Sequence, residues 1–70
     1  MPYVSRKDIT IYEETEVHSF TMTMNYWVAS LDGDLSTGET VRLARTGTSA
    51  LSASGNLEAA IAEQGWDIRA

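Results

Sequence analysis

The most regular alternation along the chain lies between Val17 and Val28. His18, Phe20, Met22, Met24, Tyr26 and Val28 fall on even positions there, and Ser19, Thr21, Thr23 and Asn25 on odd ones. A two-residue period belongs to a pleated strand with one row of side chains on each face, so the run predicts a long strand with a buried apolar row and a solvent-facing hydroxyl row. Upstream, Ile9 and Ile11 alternate with Thr10 and Tyr12 in a shorter β-branched, aromatic segment. The acidic stretch Glu13-Glu14-Thr15-Glu16 between the two runs predicts a turn, because strand interiors seldom hold such a density of charge. The first two strands are then expected to form a hairpin.

Downstream, Asp32 to Glu39 is rich in turn formers and predicts an extended hairpin loop. Thr40 to Arg45 predicts a third strand, with Val41 and Leu43 on one face and Arg42 and Ala44 on the other. Pro2 and the cluster Ser5 to Asp8 suggest an irregular start.

From Ser49 the period becomes helical, and Ala50, Ala53, Leu57, Ala60, Ile61 and Gln64 line one stripe. Thr48, Ser49, Ser52 and Ser54 all suit an N-cap, and Gly55-Asn56 leaves open a later start at Leu57. Gly65 supplies the stop and Trp66 the apolar residue that folds back on the last turn, after which Trp66 and Ile68 alternate with Asp67 and Arg69 in a short final strand. The order βββαβ, without repeats or linkers, predicts a single α+β domain over 1–70. In this small two-layer sandwich an antiparallel sheet is covered on one face by one C-terminal helix. The other face is left open, and the alternation assigns it Ser19, Thr21, Thr23 and Asn25, with Thr10, Tyr12 and Arg42 beside them.

Trp27 interrupts the alternation. A β-bulge near Tyr26 would turn it inward, a strand end covered on both sides would bury it, and an exposed recognition aromatic would leave it free for a partner.

Seventy residues without cysteine bound the chemistry tightly. The core is small, disulfides and thiolate metal sites are impossible, and a chain of this size often gains stability by pairing with a copy or a partner. A homo-oligomer is therefore one expectation. The charge of −5 repels phosphate backbones, so direct nucleic-acid binding is not expected, whereas a basic protein surface would be attracted. No run approaches a membrane span and no signal-peptide core follows the N-terminal charges, so a cytoplasmic protein without membrane contact is expected.

Motifs for catalysis, metals or cofactors are absent from the pattern. Asp32-Gly33-Asp34 begins like a calcium loop, but Thr37 stands at the sixth position and Leu43 at the twelfth, where glycine and a bidentate glutamate belong. His18 has only strand neighbours, which point to the opposite face and cannot complete a catalytic triangle. Thr46-Gly47-Thr48-Ser49 lacks the spacing and the lysine of a phosphate loop. No enzyme, cofactor or metal is expected.

Size, acidity and the lack of catalytic machinery are shared by many small accessory proteins of bacteria and their phages. Inhibitors that block host defence complexes, anti-CRISPR proteins included, are among them. The expected function is thus a non-enzymatic protein-binding module that occupies a basic surface, such as that of a nucleic-acid-binding complex. The alternative is a self-associating assembly module acting through its open sheet face or an edge strand. The candidate contact residues are Tyr12, Glu13, Glu14, Glu16, Thr21, Thr23, Trp27, Asp32 and Asp34.

Overall fold

In the computed structural model, which describes residues 1–70, the chain runs through β1 (Tyr3–Ser5), a 3-10 turn (Arg6–Asp8), β2 (Ile9–Val17), β3 (Thr23–Asp34), β4 (Thr40–Gly47), α1 (Ala50–Glu63) and β5 (Asp67–Arg69). Strands β2, β3 and β4 form an antiparallel sheet in that order, and α1 packs on one of its faces, giving the expected α+β two-layer architecture. No helix is long and apolar enough to cross a membrane.

The helix forms as its sequence dictates. Ser49 is the N-cap, its hydroxyl accepting from the Ser52 amide at 3.0 Å, and Gly55 stays inside the helix. At the other end Gly65 takes φ +81°, the Gly65 amide donates to the Ala62 carbonyl at 2.9 Å, and the Trp66 amide donates to the Ile61 carbonyl at 3.3 Å. These paired bonds satisfy carbonyls the helix leaves open, and they turn the Trp66 ring back against the core. Ala53, Leu57, Ala60 and Ile61 form the buried stripe.

That stripe meets Ala29 and Leu31 of β3 and Leu35 just beyond it, together with Val4. Burying Leu31, Leu57, Ile61 and Val4 almost completely supplies about 1.5–3 kcal/mol each, the main stabilisation available to so small a domain. Val4 belongs to a strand hidden in the irregular start that the sequence suggested. β1 pairs in parallel with β5, Val4 opposite Ile68, and the Arg69 guanidinium lies 4.3 Å over the Tyr3 ring. The pairing is legible only in three dimensions, because its two partners lie at opposite ends of the chain.

Three expectations are corrected. The stretch Glu13–Glu16 is not a turn but the second half of β2, which pairs without interruption from Ile9 opposite Leu31 to Val17 opposite Thr23. Nothing covers these residues, so their carboxylates stay in water and the usual penalty for charge in a strand is absent. The turn instead falls at residues 18–22, inside the run that suggested one unbroken strand. It is closed by the His18 amide donating to the Met22 carbonyl at 2.9 Å and the Thr21 amide to the Ser19 hydroxyl at 3.4 Å. Asp32-Gly33-Asp34 is not loop either: these residues pair with Arg42, Val41 and Thr40, and the loop begins only at Leu35.

The largest correction concerns the faces. Leu31, Ala29 and Trp27 point toward α1, so the odd positions of β3 form the covered side and the even positions the open one. The register has no bulge, and Trp27 is half-buried against the core because its parity places it there. The apolar even row of the sequence therefore lies on the face without the helix, where His18 to Met24 are exposed, Tyr26 is half-buried and Val28, between Tyr12 and Thr46, is buried. Thr23 and Asn25, expected on the open face, lie on the helix side of the sheet, past the helix itself.

Candidate functional site

β4 ends at Gly47, opposite Trp27, and the four cross-strand pairs from Glu14–Tyr26 to Val17–Thr23 have no third strand. With the turn at 18–22 they form a two-stranded arm projecting from the helix-covered body. The molecule measures 47 × 18 × 18 Å, and its radius of gyration is 13.8 Å. A compact chain of this length would have about 11 Å, so the arm is a real extension of the shape.

Cross-strand partners point to the same side, which fixes the chemistry of each face. On the open face Glu16 stands opposite Met24, Glu14 opposite Tyr26 and Tyr12 opposite Val28. On the other face Glu13 stands opposite Trp27 and Thr15 opposite Asn25, where the Thr15 hydroxyl donates to Asn25 Oδ1 at 2.8 Å. At the end of the arm Val17 is 71% exposed, Phe20 110%, Met22 59% and Met24 55%. Apolar side chains this open, gathered on one projection, are the kind of surface that contacts another molecule.

The arm also concentrates charge. Glu13, Glu14 and Glu16 lie in a stretch where no lysine or arginine occurs between Lys7 and Arg42. His18 Nε2, 3.5 Å from Glu16 Oε2, is the one neighbouring cation, and only when protonated. The acids of the body are better compensated: Asp32 lies 3.7 Å from Arg42, Glu58 3.8 Å from Arg6, and Asp67 3.7 Å from Arg69.

The candidate contact residues thus separate into groups. Tyr12, Glu14 and Glu16 share the open face of the arm and its root, and Asp32 and Asp34 share that face at the far end of β3. There Asp32 is paired with Arg42, and Asp34 accepts from the Thr40 hydroxyl at 3.2 Å. Glu13, Thr23 and Trp27 point to the helix side, and Thr21 sits in the turn. Phe20, Met22 and Met24 were missing from the candidates because the alternation assigned the even row to the core, and Val17 because it marked only the start of that run. The signal that would have found them is the apolar residue on both parities at Tyr26-Trp27-Val28, where the covered face passes from one row to the other.

Beyond the arm, two shallow depressions mark the surface, one across β3 and β4 at Asp32 and Arg42, the other beside Arg6, Glu58 and Trp66. His, Asp and Glu side chains nowhere converge in the groups of three that a metal site needs. No family model matches the chain, and no curated protein or solved structure matches it either.

Proposed function

We propose that the protein is a non-enzymatic binding module that engages a protein partner through the β2–β3 arm, Glu14 and Glu16 on the open face meeting a basic surface, with Glu13 adding charge from the other face, while Phe20 fills an apolar contact at the arm's end. The observation that carries this reading is the arm itself. Uncompensated carboxylates and open apolar side chains share one projection that contributes nothing to the core. Long-range attraction steers the acidic arm toward a basic surface, and a buried aromatic supplies most of the short-range energy. In its inhibitory form the module would occupy a basic nucleic-acid-binding surface of a defence complex, and the arm's acidity is what supports that form.

The test is affinity capture from the native cell with quantitative mass spectrometry, using the wild-type chain and the triple variant Glu13→Lys/Glu14→Lys/Glu16→Lys as baits. A basic protein retained by the wild type and lost by the variant, with both baits folded, is the expected result. Equal retention by the two baits, or no specific partner, would refute the reading. The alternative of self-association is favoured by one specific observation, the free outer edge of β3 in the arm, and the two readings are compatible.

A further inference from the structure

Two unlike edges flank the arm. In an antiparallel pair, residues alternate between directing their backbone N–H and C=O toward the partner strand and away from it. The bond from the His18 amide to the Met22 carbonyl sets that alternation, so Met22, Met24 and Tyr26 turn toward β2. Thr23 and Asn25 turn their backbone groups to the side where β4 would lie, but β4 has ended at Gly47. The stretch Thr23-Met24-Asn25-Tyr26 is thus an unpaired edge without a charged residue. Proteins guard such edges against pairing with charge, proline or bulges, and this one has none of these. The outer edges of β2 and β4 differ. β2 carries Glu13, Glu14 and Glu16 and β4 carries Arg42 and Arg45, so self-pairing along either would gather like charges.

We infer that a second copy of this chain occupies the β3 edge, the two arms joining antiparallel about a two-fold axis at Met24. Thr23 of each copy stands opposite Asn25 of the other, the pair whose outward amides and carbonyls can exchange bonds, and the two Met24 side chains meet between them. Met22 of one copy then flanks Tyr26 of the other, and a four-stranded sheet β2-β3-β3-β2 forms across the dimer. The acidic β2 strands occupy its outer positions, each separated from the axis by a β3 strand, so their carboxylates oppose the union little. The interface is modest. At roughly 200 Å² for a large side chain, the exposed fractions of Met22 and Met24 amount to about 230 Å² per copy. Tyr26 and the paired backbones add to this but leave it below the ~800 Å² per partner of a standard interface, so the dimer forms in the upper part of the concentration range. The inference does not depend on the proposed partner binding, and it leaves the β2 acids free for it.

The test is sedimentation equilibrium from micromolar to near-millimolar chain, joined to disulfide trapping, which is clean because the protein has no cysteine of its own. The wild type is expected to reach twice the mass of a 7.7 kDa chain. The variant Thr23→Lys/Asn25→Lys sets ammonium groups opposite one another across the axis and is expected to weaken the dimer at least tenfold, with an unchanged circular dichroism spectrum. Met24→Cys is expected to form a covalent dimer under mild oxidation, since directly opposed residues fall within disulfide reach. Glu16→Cys, on the strand away from the axis, is expected not to. Glu13→Lys/Glu14→Lys/Glu16→Lys is expected to remain dimeric, so a lost partner and a lost dimer are told apart. A single-chain mass at every concentration would overturn the inference. So would a dimer indifferent to Thr23→Lys/Asn25→Lys, trapping at Glu16→Cys in place of Met24→Cys, or growth into open-ended assemblies.

Discussion

Strand β3 passes through two environments. From Trp27 to Leu31 its odd side chains lie against α1, where Ala29 and Leu31 are buried beside Leu57 and Ile61. From Thr23 to Tyr26 the same strand, in the same register with β2, has no neighbour on its outer edge, and Thr23 to Asn25 are exposed on both faces. The backbone geometry is shared, so the difference lies in what packs on it. The body draws its stability from apolar area removed from water, whereas the arm has only cross-strand pairs, which isolated two-stranded ribbons find marginal. Sequence that looks equally strand-like in both regions is therefore covered in one and left open in the other.

The sharpest way to break this comparison is to damage each half and compare the costs. Leu57→Ala removes a side chain only 1% exposed, and a loss of about 2–5 kcal/mol is expected in urea unfolding. A domain of this size has only some 4–10 kcal/mol in total, so the variant should be partly unfolded near body temperature. A Leu57→Ala protein as stable as the wild type would mean that the helix is not what holds the sheet.

Gly47→Ala probes the boundary between body and arm. A Cβ at Gly47 would press on the Ser52 side chain and the Ala53 backbone amide, where the start of α1 crosses the end of β4. The expected cost is about 1–3 kcal/mol, read as a lower urea midpoint. Ser49→Ala and Gly65→Ala test the two helix ends. Each should cost about 1 kcal/mol, the first by freeing the Ser52 amide and the second by forcing a Cβ into a left-handed backbone. At the small end, Phe20→Ala should change stability by less than about 0.5 kcal/mol, since the ring touches no core residue. A Phe20→Ala loss comparable to that of Leu57→Ala would erase the distinction between the regions.

Much of the body was legible in the sequence because local rules sufficed there. The helical stripe and the Gly65 stop each need only a few neighbouring residues to act, and Val41 and Leu43 face the core as their alternation implies, whereas the N-cap, open among four residues in the sequence, falls at Ser49. The arm was misread because alternation reveals that a strand has two chemically distinct faces without saying which one is covered. The carboxylates of Glu13 to Glu16 looked like a turn only on the premise that strands are packed, and the turn at 18–22 contains none of the glycine, proline, asparagine or aspartate that usually marks one. Asp32-Gly33-Asp34 looked like a loop by composition, yet pairing with Arg42 and Thr40 satisfies both carboxylates in a strand. Of the candidate contacts, the three glutamates and Tyr12 are exposed, as their charge and the open-face assignment implied. Phe20, Met22 and Met24 required knowing where α1 lies.

Residue-resolved hydrogen exchange at low chain concentration tests the separation of arm and body most directly. The account predicts that the Ala29, Leu31, Leu57 and Ile61 amides exchange only through global unfolding, while the hydrogen-bonded amides of Glu14, Glu16, Met24 and Tyr26 exchange at least tenfold faster through local opening. Equal protection in the two sets would contradict it, because the arm would then share the stability of the core.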